Sequence, residues 1–136
     1  MLPDRIAEGA RIKIIQAAEA WIGTPYLYGG GSKKGIDCSR FVWRIFTQVV
    51  DQHFPYMDTE LLHTTIFFFD VPTPDKADIV LWDGHVAIVV NPLAGDFIGA
   101  QSKHGVSKSN YKTDCYWKKR PGLMFRQFQG PWPKFY

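Results

Sequence analysis

The chain has 136 residues, 46% of them hydrophobic and 15% aromatic, with a net charge of +3. That is enough for one domain with a real core, too few residues for two, and too apolar for a disordered chain. The basic residues are spread out except at Lys118-Lys119-Arg120, so the charge suits contact with an anionic polymer but carries no nucleic-acid-binding signature.

No apolar run reaches membrane-spanning length, and Met1 to Ala10 carries Asp4, Arg5 and Glu8 where a signal peptide would be apolar. Neither nucleic-acid binding nor membrane insertion is expected. Cys38 and Cys115 make no disulfide framework, and no Cys/His set has zinc spacing. No metal and no cofactor are expected.

Pro3-Asp4 opens a helix whose apolar stripe, Ile6, Ile14, Ile15, Ala18, Trp21 and Ile22, stops before Gly23 and Pro25. The next stretch contains Gly29-Gly30-Gly31 and reads as loop. A second helix runs from Cys38 to about Val50, with Phe41, Val42, Ile45, Phe46, Val49 and Val50 on one face and Asp37 as its N-cap. Asp51 to Thr65 fits no single period, and a short helix is predicted near Thr59 to Thr64. Ile66-Phe67-Phe68-Phe69 is an apolar run of core or groove, and Val71 to Asp75 is a proline turn.

The second half reads as strands. They are predicted at 77–82, 85–90, 96–101 and 122–128, with a two-residue turn at Asp83-Gly84. Gly105-Val106-Ser107 is an edge piece, Tyr111 to Arg120 a polar-aromatic loop, and Gly130 to Tyr136 an irregular tail. Helices first and antiparallel strands after give one α+β domain over 1–136, its N-terminal helices packed on one side of an antiparallel sheet or open barrel.

Cys38 at a helix mouth meets unpaired N–H groups and a partial positive charge, which would lower its pKa and make it a candidate nucleophile. A thiol nucleophile needs a base, and His85 opens an apolar strand where it shares a face with Ala87 and Val89. His53, His63 and His104 lie in polar or irregular surroundings and read as surface histidines. On the neighbouring strand Gln101 is the nearest candidate for orienting His85, and a backbone carbonyl would also serve.

Gly23-Thr24-Pro25-Tyr26, the glycine loop, Gly35-Ile36-Asp37-Cys38-Ser39 with Phe41-Val42, Ala77 to Trp82 and Gly84-His85-Val86-Ala87-Ile88 together resemble the NlpC-type cell-wall cysteine peptidases. The resemblance runs from about Ala18 to Val106 and implies a compact papain-like fold. It implies hydrolysis of peptidoglycan stem peptides, commonly between D-glutamate, through its γ-carboxyl, and diaminopimelate. Cys38 would be nucleophile, His85 base and Gln101 third polar residue, with Tyr26, Asp37 and Ser39 helping to bind substrate.

Two positions depart from the family pattern. Arg40 stands where Gly is usual, and it would either face solvent or narrow and charge the cleft. Gly99 falls where the third polar residue is usual, leaving that role to Gln101. Two alternatives therefore stay open: a related thiol amidase or acyltransferase, which Arg40 favours, and a wall-binding module of the same fold without catalysis, which Gly99 favours. A bare domain without signal peptide or wall-binding repeat reads as an antibacterial effector or phage lysis enzyme. It would act in the periplasm or cell wall after signal-independent export, with an immunity protein or delivery machinery as partner.

Overall fold

A computed structural model describes residues 2–134, with side chains from residue 7 onward. The expectation for the Ile6 side chain and the last two residues of the tail lies outside the described residues. Helix α1 spans Leu2–Ala20, and its buried face includes Ala7, Ala10, Ile14, Ala17 and Ala18. The glycine-rich stretch is not pure loop: β1, Gly31–Ser32, and β2, Gly35–Ile36, pair as a minimal antiparallel hairpin. Helix α2 follows at Cys38–Val49 and buries Phe41, Val42, Ile45 and Phe46, the face expected from their spacing.

Helix α3 is one turn, Thr59–Leu62, capped by Asp58. Next come β3, Phe68–Val71; β4, Ile79–Trp82; β5, His85–Asn91; β6, Asp96–Gln101; and β7, Gly105–Asn110. A five-residue helix α4, Cys115–Lys119, interrupts the polar-aromatic segment, and β8 closes the described fold at Met124–Phe128. The turn between β4 and β5 is the expected pair Asp83-Gly84, with Trp82 opposite His85 and Gly84 at φ +77°.

Six strands form one antiparallel sheet in the order β3-β8-β4-β5-β6-β7. The meander β4 to β7 follows from short turns. The return of β8 to lie between β4 and β3 does not, because its register pairs Asp70 with Arg126 and Ile79 with Arg126 across long sequence separations. This is why β3 reads as an apolar run ending in a turn: among the described residues its strand partner lies more than fifty residues downstream.

Strand alternation divides the core in two. Ile79, Leu81, Val86, Ile88, Ile98 and Ala100 face α1 and α2 with Phe41, Ile45 and Phe46. Val80, Trp82, Ala87, Val89 and Phe97 face the other way and pack with Tyr111 and Trp117. The N-terminal helices thus lie on one face as expected, while α4 with Trp117 covers the opposite face near the β4–β5 turn.

Two buried arginines tie distant segments together. Arg11 of α1 donates to the Asp78 carboxylate at 2.9 Å, and Gln127 of β8 donates to the same group. Arg126 donates from its guanidinium to the backbone oxygens of Leu62, Thr65 and Phe68 and to Asp70, which pins α3 and the turn after it against β8. Replacing Arg126 with Met removes the guanidinium from all of those oxygens. The expected cost is about 3 kcal/mol in urea unfolding, an order set by buried groups deprived of a charged hydrogen-bond partner. A change below about 0.5 kcal/mol would contradict this pinning role.

Candidate active site

The site is assembled around Asp37. As N-cap of α2 its Oδ1 accepts from the Arg40 backbone N–H at 2.9 Å. Its Oδ2 accepts from the Gly29 N–H at 2.9 Å and from the Arg40 guanidinium at 2.9 Å. Ile36 receives from Leu27 and donates to Pro25, so the loop carrying Tyr26 runs beside β2. At the other side of the loop, Gly23 and Thr24 exchange backbone hydrogen bonds with Val106 of β7. The cap therefore holds the glycine loop, Tyr26 and the start of α2 as one unit.

Cys38, the first residue of α2, is buried, 9% exposed. Its Sγ lies 3.7 Å from Thr59 Oγ1 of α3, and the backbone N–H groups of Val86 and Ser39 favour its thiolate. Val86 follows His85, so the thiol rests against the start of β5. Cys38 and His85 line one cavity of about 790 Å³ together with Tyr26, Gly84 and Gln101. A second lobe of about 770 Å³ opens on the other side of the thiol, between Tyr28, Arg40, Tyr56, Asp58 and Glu60.

The electrostatics correct one expectation. The Cys38 thiol is not acidified: burial pushes its pKa above the ordinary value, outweighing the hydrogen bonds from Thr59 and the backbone, with the Asp37 charge adding to the rise. Desolvation, reinforced by the Arg120 charge, lowers the His85 pKa to about 4. At neutral pH the pair is an uncharged thiol beside an uncharged imidazole. The helix mouth offers donors, but Asp37, which caps it, is itself an anion next to the sulfur.

His85 lies under aromatic cover, stacked on Trp117 at 4.9 Å between ring centroids and 5.5 Å from Trp82. Both its Nε2 and the Gln101 Oε1 are buried without a well-formed hydrogen bond, yet Gln101 is close enough to favour the protonated ring. One is a ring nitrogen and the other an amide acceptor, so their chemistry is complementary. Gln101 is held by its other end, with Nε2 donating to the Ser107 carbonyl and hydroxyl at 3.0 and 3.1 Å, which leaves Oε1 as the free acceptor. Gly99 gives it room: a Cβ at position 99 would lie 2.8 Å from Gln101 Oε1 and 2.7 Å from Ala87 Cβ.

Tyr26 lines both lobes, and burial with the nearby Cys38 and Asp37 charges raises its hydroxyl pKa, so it stays a hydrogen-bond donor. Asp37 and Ser39 border the second lobe but are engaged within the chain. Ser39 Oγ shares a 2.8 Å hydrogen bond with Tyr56 Oη and a longer one with Asp37. Arg40 turns back on Asp37 and lies over the Tyr56 ring at 4.5 Å, so it is a wall of the lobe.

Several neighbours carried no sequence expectation of a role: Thr59, Tyr56, Trp117 and Arg120. His63, read as a surface residue, is half-buried at the second lobe with Nδ1 2.8 Å from the Thr59 carbonyl oxygen. Their only signals in sequence were the short Asp58-Thr59 helix start and the aromatic-basic composition of 111–120.

Comparison with known proteins identifies the family. The NlpC/P60 family model matches residues 23–125. A murein DD-endopeptidase/LD-carboxypeptidase of Escherichia coli, MepS, is 31% identical over 115 residues, 79% of this chain and 58% of that protein. A gamma-DL-glutamyl hydrolase of Bacillus subtilis is 38% identical over 120 residues, 82% of this chain and 28% of that protein. The chain thus spans well under two thirds of either relative. The NlpC/p60 domain of the peptidoglycan hydrolase SagA superposes with a TM-score of 0.67 at 24% identity, covering 86% of this chain and 97% of that one, a likeness of fold. With the family model running from the glycine loop into β8, and Cys38 and His85 meeting at one cleft, the chain belongs to the NlpC/P60 family.

Proposed function

We propose that the domain is a cysteine peptidase that cuts amide bonds in peptidoglycan stem peptides, at the bond between the γ-carboxyl of D-glutamate and diaminopimelate. The observation that carries it is the shared cavity of Cys38 and His85, with Gln101 positioned behind the imidazole. The printed activities of the relatives, murein endopeptidase and gamma-DL-glutamyl hydrolase, support the substrate class. Action on the wall puts the working site outside the cytoplasmic membrane, and delivery by an export machine, with an immunity protein as partner, is part of the same proposal.

The chemistry follows from an uncharged pair. His85 takes the Cys38 proton as sulfur attacks the scissile carbonyl, so charge forms only when substrate is present to use it. The oxyanion meets the Cys38 backbone N–H, a first-turn donor with no helical partner, and the Tyr26 hydroxyl. The imidazolium is stabilised by Gln101 Oε1 and gives its proton to the leaving amine. Water, deprotonated by His85, then releases the acyl group from sulfur. Asp37 and Ser39 act on substrate through the wall they build with Arg40 and Tyr56.

The decisive test is mass spectrometry of purified peptidoglycan after incubation. Fragments with a new diaminopimelate amine that depend on Cys38, and vanish in Cys38→Ala, are expected; intact peptidoglycan would overturn the proposal. The acid limb of kcat/KM should lie near pH 4, because His85 accepts a proton only above its depressed pKa. A limb near the ordinary histidine value would contradict the buried, neutral imidazole.

Cys38 alkylation by iodoacetamide, measured in a Cys115→Ser background, should be slow at pH 7 and keep rising beyond pH 9, since its thiol sits above the ordinary value of 9.0. Gly99→Ala and Gln101→Leu should each lower kcat by about tenfold or more with KM little changed, the loss staying below the ~10²–10⁴ attributed to general acid–base catalysis. A KM effect alone would place Gln101 outside proton transfer.

A further inference from the structure

The two lobes beside Cys38 differ in charge and in function. His85 must reach the leaving nitrogen to protonate it, and it lines only the 790 Å³ lobe. The leaving half of the substrate therefore lies in that lobe and the acyl half in the other. The acyl-side lobe carries Asp37, Asp58, Glu60 and Asp83 against Arg40. The leaving-side lobe carries Lys103, Lys108 and Arg120 against Asp114, whose carboxylate caps α4.

Arg120 is the built part of this surface. It is half-buried, and its guanidinium donates to the Asp83 carbonyl at 2.9 Å and the Tyr116 hydroxyl at 2.8 Å, both neutral oxygens. It lies 5.8 Å from the centroid of Trp117, the ring stacked on His85. Among the described residues no carboxylate pairs with it. Lys108 is partly offset by Asp96 at 3.7 Å, and Lys103 is exposed. A fixed, unneutralised cation next to the base hinders protonation of His85, so its presence there calls for an anion that arrives with the substrate.

Resting on the peptidase reading above, we propose that Arg120, seconded by Lys103 and Lys108, binds a carboxylate on the leaving-group half of the substrate and selects peptides whose released residue is anionic. A planar guanidinium held by two neutral oxygens keeps further N–H groups with which to bind a carboxylate. Diaminopimelate with free carboxyl groups fits this lobe, and its carboxamide does not.

The test uses two synthetic peptides with the same γ-D-glutamyl–diaminopimelate bond, one with free diaminopimelate carboxyls and one with carboxamides. The unsubstituted protein should favour the free acid in kcat/KM by about tenfold or more, the order of one charge-assisted hydrogen bond. Arg120→Gln should bring that ratio toward one, Arg120→Lys should keep part of it, and Lys103→Gln with Lys108→Gln should lower it less. Equal rates on the two peptides, or a ratio untouched in Arg120→Gln, would overturn the proposal. Calorimetry with Cys38→Ala reads the subsite without turnover. If neither peptide is cut, the peptidase reading fails, while tighter binding of the free acid supports the subsite and equal binding of both refutes it.

Discussion

One carboxylate organises the working end of this molecule. Asp37 caps α2, receives the Gly29 N–H from the glycine loop, and holds the Arg40 guanidinium. Its two oxygens serve the first turn of α2, the glycine loop and the Arg40 side chain together. The cap sets where Cys38 begins its helix, the loop bond sets where Tyr26 lies, and the ion pair sets the wall of the second lobe. An apolar residue at position 37 would free all three at once, which is why the site cannot be understood one residue at a time.

That constraint has an electrostatic consequence. A helix N-terminus favours a thiolate, but here a buried anion caps it and the sulfur lies out of water. Desolvation outweighs the donors on the thiol, and desolvation with the Arg120 charge outweighs Gln101 on the imidazole. The pair rests uncharged. The Trp117 ring is stacked on that imidazole, and the Gln101 amide is the neighbour that favours its protonated form.

The two departures from the family pattern have structural explanations that link to this arrangement. Arg40 is a partner for Asp37 and a lid on Tyr56, so it removes the free negative charge that a bare Asp37 would offer the cleft. Gly99 is the space into which Gln101 folds back. Gln101 stands two residues along the same strand face, and the missing side chain at 99 leaves room for its amide. With acids gathered on one side of the thiol and cations on the other, the cleft is electrostatically asymmetric.

The sequence by itself determined the elements whose signals are local. The apolar stripes of α1 and α2, the Asp37 cap, the Asp83-Gly84 turn and the alternation along β4 to β6 are written within a few residues of where they act, and Cys38, His85 and Gln101 could be singled out from them. Tertiary structure alone decided what depends on distant segments meeting. It placed β8 between β3 and β4, made a strand of Phe68–Val71, brought Thr59 to the sulfur and Trp117 and Arg120 to His85, and reversed the expected acidity of Cys38. The physical reason is the same in each case. Hydrophobic periodicity and capping are near-neighbour effects, whereas desolvation and long-range pairing are properties of the volume that surrounds a residue once the chain has closed around it.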